Sequence, residues 1–259
     1  MSDTVKLLPC STKDLHSQAP VLRISIARLL LVGFAVPPFV LAYMIVNVMI
    51  TDFEHATYTD CRVLNALPSV SAISRSQQLG WKLVTWMLLP LRALIIVLYW
   101  RYYRKVFRRA YKLQWLILFL FVYESLSTVF MARWTHISGD ESIHMIVVCS
   151  IWLASFGYIG ASFLCFKRHC NRFAVEPHQQ LSYLLKKKCV IFYYSGTLAM
   201  WCCYPLHTEF CLPLAYTGFA LAEYVVSWSL MGYLWTSAID FYPFYLCRNA
   251  QRGFFLIST

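Results

Sequence analysis

The sequence predicts an all-α, polytopic integral membrane bundle of six transmembrane helices with both termini in the cytoplasm. Three observations carry that expectation. Apolar runs long enough to cross a bilayer recur along a 259-residue chain that is 59% hydrophobic and 14% charged; a soluble domain carries about 25% charged residues. Lys and Arg crowd into alternate connecting segments. One apolar stretch, 212–236, holds a single carboxylate, Glu223, near its middle, and two other stretches carry a charge at the same depth.

Taken in order, residues 1–25 form a polar lead with Lys6, Lys13 and Arg23, expected to face solvent. The first apolar run starts near Ile26 and is too long for the core of a signal peptide, so no cleavable signal is expected. Span one, 26–50, contains Pro37 and Pro38, which are expected to kink it while neighbouring helices satisfy the freed backbone groups. A loop over 51–80 follows, with Cys61 and the segment LPSVSAIS. Span two, 81–100, contains Lys82 and Arg92, and leads into the basic run RYYRKVFRRAYK. Span three, 113–131, is centred on Glu124. After a polar turn, span four, 143–166, opens with His144. A second basic loop, 167–188, precedes span five at 189–206 and span six at 212–236. Residues 237–259 are expected to be a cytoplasmic tail, leaving one six-helix transmembrane domain over 26–236.

The orientation follows from counting bases. The lead (with Arg28), the two basic loops and the tail hold 18 Lys and Arg; the opposite side holds only Arg62, Arg75 and Arg133. Cytoplasmic loops accumulate Lys and Arg, so that bias places both termini inside. It also explains the net charge of +11 without nucleic acid as a partner. Trp81, Trp100, Trp115, Trp134 and Trp235 fall near span ends, where indole rings favour the interface.

Depth arithmetic singles out the charged trio. Arg92, Glu124 and Glu223 each lie 11 residues from an end of their span, which at ~1.5 Å per residue is about 16 Å into a core of ~30 Å. An unpaired charge there is costly and normally faces a partner or a cavity. One guanidinium pairs well with one carboxylate, and the second Glu then needs a proton, an ion, water or a ligand. Ser127 and Thr128 share the helix face of Glu124, and Ser227 that of Glu223. Two readings follow: a polar staple that fixes helix register, or a substrate-facing polar cavity.

Glu223, Glu124 and His144 are therefore the candidate catalytic groups, the His lying nearer the headgroups. Cys61 and Cys211 fall on the extracytoplasmic side and are the candidate disulfide pair; Cys202 and Cys203 lie near the same surface and leave connectivity open. HATYTD matches an H-x4-D spacing, but in a short extracytoplasmic loop without a surrounding domain it carries no weight. No Cys and His pair has zinc-site spacing, and no metal or resident cofactor is expected.

An ordered series of residues resembles one membrane-protein family. It begins at Cys61, Asn65 and LPSVSAI, continues through Pro90, Leu91 and Arg92, then Tyr99-Trp100, Glu124 and Ile143-His144. It closes with Cys211, Tyr216-Thr217, Phe219-Ala220, Glu223-Tyr224, Met231, Thr236 and Asp240-Phe241. The pattern is similar to the post-GPI-attachment-to-proteins factor branch of the Frag/DRAM/Sfk superfamily. That resemblance implies a Golgi or endoplasmic reticulum membrane protein acting in lipid remodelling of glycosylphosphatidylinositol (GPI) anchors, at the sn-2 reacylation of lyso-GPI. It implies a membrane lipid and a GPI-anchored protein or lyso-GPI as partners, with an acyl donor such as acyl-CoA and a further remodelling enzyme alongside. Arg92 and the polar residues of the shared run, Asn65, Ser69 and Ser71, become candidate substrate-binding residues. A branch that modulates autophagy shares the same helices; a non-catalytic scaffold and an ion-coupled transporter are the rival functions.

Overall fold

The computed structural model of the chain describes residues 22–106, 111–134, 141–172, 176–242, 244–249 and 253–258. The lead up to residue 21, the middle of the first basic run and the centre of the turn before span four lie outside the described residues. A short strand, β1 (Leu22–Ser25), leads into α1 (Ile26–Thr51). Ser25 caps that helix, its hydroxyl accepting from Arg28 N at 3.4 Å. Next come α2 (Phe53–Thr57), α3 (Val70–Ser76), α4 (Gln78–Val106), α5 (Tyr111–Trp134) and α6 (Glu141–Arg172). The chain continues through α7 (Pro177–Thr208), α8 (Ala215–Trp235) and α9 (Ser237–Asp240), and closes with β2 (Phe244–Asn249) and β3 (Gly253–Ser258).

Five helices are long and apolar enough to cross a membrane, covering Ile26–Thr51, Gln78–Arg104, Lys112–Ala132, Ile143–Asn171 and Pro177–Thr208. α8 has 21 residues, about 31 Å at 1.5 Å per residue, and carries Glu223 near its middle. It packs against α7, α1, α6 and α3, so the helix that carries Glu223 lies inside the bundle. Lipid tails are as apolar as leucine, so close backbone approach holds helices together. At Gly196 of α7 an added Cβ would sit 3.1 Å from both Val225 and Val226 of α8, which presses α7 onto α8 beside Glu223.

α1 runs through Pro37 and Pro38 as one helix. The structure differs from the expected chain plan in three places. The loop 51–80 is a folded insertion built from α2 and α3, with α4 starting before Trp81. The second basic loop has largely become helix, because α6 and α7 extend to Arg172 and back from Pro177. Leu, Gln, Lys and Arg are good helix formers, and helical ends rich in them continue past a membrane surface.

The last difference qualifies the all-α expectation. β1, β2 and β3 form a three-stranded antiparallel sheet in that order, with Leu22 opposite Arg248, Ser25 opposite Tyr245, and Phe244 opposite Ser258. Phe, Tyr, Leu and Ile at close spacing favour a pleated, half-buried surface. The Arg23 guanidinium lies 3.9 Å above the Tyr245 ring. Burial pushes the pKa of the Cys247 thiol up in this sheet, against the opposing pull of Arg23.

Two buried clusters divide the interior. The larger joins the helices near the sheet and includes Leu30, Tyr99, Tyr103, Phe121, Tyr158, Tyr193, Tyr233 and Phe241. The smaller, Met44, Val48, Ala56, Ile73 and Tyr224, seats the folded insertion at the opposite end.

Candidate functional site

Arg92 of α4 and Glu124 of α5 form an ion pair between Arg92 Nη1 and Glu124 Oε2. The same nitrogen lies 3.2 Å from Ser125 Oγ. Thr128, one turn beyond Glu124, holds its hydroxyl 2.9 Å from the Glu124 carbonyl and 3.3 Å from Oε1. Among the described residues, the other donors of the Arg92 guanidinium make no hydrogen bond. A buried pair of this kind is tolerated because partner and hydroxyls replace the lost water.

Glu223 does not join that pair. Its Oε2 accepts the backbone N–H of Val70, the first residue of α3, at 2.7 Å. Around it α8 supplies a row of polar contacts to the insertion. Thr217 Oγ1 accepts from Ala66 N at 2.8 Å, the Tyr216 hydroxyl accepts from Ser69 N at 3.2 Å, and the Tyr224 hydroxyl donates to Pro68 O. Leu214 N donates to Leu64 O at 2.9 Å. A Cys61–Cys211 disulfide, closing a separation of 150 residues, ties the same insertion to the chain just before α8. LPSVSAI therefore folds onto the polar face of α8, which satisfies its backbone.

The remaining sequence candidates divide by where this docking leaves them. Asn65 is buried, and its side-chain N–H groups face Thr57 O, Thr59 Oγ1 and Val63 O, so it braces the insertion from within. Ser69 caps α3, accepting from Ala72 N at 3.1 Å. Neither lines the cavity described next. Ser71 does, and its hydroxyl lies 3.1 Å from Nε2 of His144 on α6.

The cavity unites the trio. It has a volume of about 140 Å³ and is walled by α1, α3, α4, α5, α6, α7 and α8. Arg92, Glu124, Glu223, Ser71 and Ser74 contribute polar groups, and Phe34, Leu88, Trp152, Tyr193 and Met231 contribute apolar wall. A second void of about 70 Å³, between α1, α4 and α5, shares Trp81, Leu88, Arg92 and Met231 with it. A third, open cleft lies between α1 and α8, and shares Phe34 and Met231. An apolar approach from the side of the bundle thus leads towards a polar interior.

A family model described as the Frag1/DRAM/Sfk1/Cwh43P N-terminal domain matches residues 25–244. The chain belongs to this family. It is 30% identical to post-GPI attachment to proteins factor 2 of Drosophila melanogaster over 98% of this chain and 100% of that protein. It is 29% identical to acyltransferase PGAP2 of Xenopus tropicalis over 80% of this chain and 84% of that one. No solved structure matches. All three voids, the insertion and the disulfide fall within the span of the Frag1/DRAM/Sfk1 match.

Sequence reasoning missed one buried ionic centre. Lys186 of α7 lies 2.6 Å from Asp240 Oδ2, 2.7 Å from Ser182 Oγ and 2.7 Å from Thr236 Oγ1. Asp240 also accepts from the Tyr99 hydroxyl at 2.6 Å and from Ser182. By sequence Lys186 falls in the second basic loop, 167–188. The available signal was helical phase: Lys186 falls one turn after Ser182 and is buried, whereas Lys187 and Lys188 are exposed.

Proposed function

We propose that this chain acts in lipid remodelling of GPI anchors, at the reacylation of the sn-2 position of a lyso-GPI, as a multi-pass protein of the Golgi or endoplasmic reticulum membrane. The observation that carries the reading is the cavity, which brings Arg92, Glu124, Glu223 and Ser71 into one space inside the bundle. The names of the relatives, a post-GPI attachment factor and an acyltransferase, support the same class of substrate and chemistry.

Six crossings with both termini cytoplasmic fit best. β1 pairs with β2, so the two ends of the described chain lie on one face, and a return to that face needs an even number of crossings. The five apolar helices and α8 make six. The Lys and Arg bias supports a cytoplasmic placing of that face, and the disulfide fits an oxidising lumen on the opposite one.

In this reading the open cleft between α1 and α8 admits lipid from the bilayer, and the acyl chain lies against the apolar wall. The free donors of Arg92 bind a phosphate or a developing oxyanion, with Glu124 holding the guanidinium in place. Of the three candidate bases, Glu124 is engaged by Arg92 and Glu223 by Val70; His144, whose imidazole meets the cavity-lining Ser71, is the group that takes the acceptor proton. Acyl-CoA or a membrane phospholipid supplies the acyl group.

The rival reading is a scaffold that presents lipid to another transferase, and one observation favours it: Arg92 and Glu124 already neutralise each other without a ligand. Reconstitution separates the two. Purified protein in liposomes with lyso-GPI and labelled acyl donors is expected to give sn-2 acylated GPI. No transfer from any donor, with the disulfide intact, would leave the scaffold.

A further inference from the structure

We propose that Ser71 is a nucleophile that carries the acyl group as a covalent ester, with His144 as its general base and acid. The inference rests on the acyl-transfer reading above and adds an intermediate to it. Two observations carry it. Ser71 Oγ lies 3.1 Å from His144 Nε2, the distance of a nucleophile and its base. Ser71 also lines the charged cavity, so the hydroxyl that meets the imidazole is open to the space a substrate occupies.

The construction around Ser71 fits a placed nucleophile. α3 has seven residues, too few to hold its own position, and is anchored instead from outside. Val70, immediately before Ser71, is held by Glu223; Ser69 N is held by the Tyr216 hydroxyl, and Pro68 O by Tyr224. His144 comes from a different element, α6. Two segments far apart in sequence thus meet at one hydroxyl, while α8 fixes the backbone just before it. Ser74, the next serine on α3, donates to Ser71 O at 2.9 Å within its own helix.

The chemistry balances without redox change. With the imidazole proton on Nδ1, Nε2 accepts the Ser71 proton as Oγ attacks the carbonyl of an acyl thioester or a phospholipid ester. The donor C–S or C–O bond breaks, and the departing thiolate or alkoxide takes that proton from Nε2. The sn-2 hydroxyl of the lyso-lipid then gives its proton to Nε2 and attacks the acyl-serine carbonyl. Ser71 Oγ leaves and recovers the proton. One ester or thioester is consumed and one ester formed.

The test uses full-length protein in cells lacking the native chain, and the same protein purified into liposomes. Ser71→Ala and His144→Gln are each expressed at wild-type abundance with the Cys61–Cys211 bridge intact. Gln preserves a hydrogen-bonding partner for Ser71 but cannot relay a proton, so it rescues a structural role and not a chemical one. Both variants are expected to leave GPI anchors lacking the sn-2 chain, with a rate loss of at least about a hundredfold in liposomes. Mass spectrometry of wild-type protein quenched in acid after labelled donor is expected to place the acyl group on Ser71, within the peptide running from residue 63 to residue 75. Added lyso-lipid is expected to discharge it. Parallel runs with acyl-CoA and with phospholipid as the only donor identify the source. Normal anchors in Ser71→Ala cells would overturn the proposal, as would wild-type transfer by His144→Gln. Unaltered anchors in cells lacking the chain altogether would instead remove the reading beneath it.

Discussion

Glu223 shows how a residue can be conspicuous for one reason and act for another. Its depth in an apolar segment marks it as costly, and the structure gives it a specific partner, the Val70 N–H at 2.7 Å. Glu223→Gln keeps an acceptor for that N–H and is expected to fold and transfer acyl groups within about tenfold of wild type. Glu223→Leu strands a buried donor, at a cost of about 1–3 kcal/mol, and is expected to loosen α3 and abolish transfer. Anchor lipid analysis of both variants at equal abundance checks this; a Gln variant as inactive as the Leu variant would restore Glu223 to the role of base. Lys186 and Asp240 behave differently, since each neutralises the other away from water. Removing Asp240 alone strands a buried ammonium and is expected to destabilise the protein by about 3–5 kcal/mol, whereas replacing both partners with apolar residues is nearly neutral. Thermal unfolding in detergent measures both, and equal losses for the single and double variants would contradict the pairing.

At the scale of elements, the insertion between α1 and α4 is the part of the fold that periodicity could not supply. Apolar length announces a spanning helix directly, because a buried backbone must satisfy itself. The segment LPSVSAIS has no such length, and α3 exists because α8 supplies acceptors and donors for it. Depth arithmetic along single helices put Arg92, Glu124 and Glu223 at one level, but could not show which carboxylate Arg92 would take or that Glu223 would turn to an inserted helix. The disulfide is the covalent part of this docking. Cys61→Ser is expected to leave the long helices assembled and to release the insertion, lowering transfer at least tenfold and exposing the loop to added protease; unchanged protease resistance would show that the polar contacts suffice. Gly196 sets the approach of α7 to α8. Gly196→Leu is expected to push α8 aside and lower the unfolding temperature, while Gly196→Ala is expected to be milder.

For the molecule as a whole, the polytopic bundle was legible in composition, and the closing sheet was not. β1 and β2, of four and six residues, lie far apart in the chain and leave no local signal of their pairing, which depends on both segments returning to one face. That return fits the proposed topology, in which the insertion and disulfide lie on the face opposite the sheet. The central claim is that the cavity walled by Arg92, Glu124 and Ser71 is where anchors are remodelled, and one measurement bears on it most directly. In cells lacking the native chain, GPI-anchored proteins are purified after expression of wild type or of an Arg92→Met, Glu124→Leu double variant, and their sn-2 chains are analysed. With both variants equally abundant and disulfide-bonded, wild type is expected to restore the sn-2 chain and the double variant to leave the lyso form. A normal sn-2 profile from the double variant would reduce the ion pair to a helix staple and move the site elsewhere.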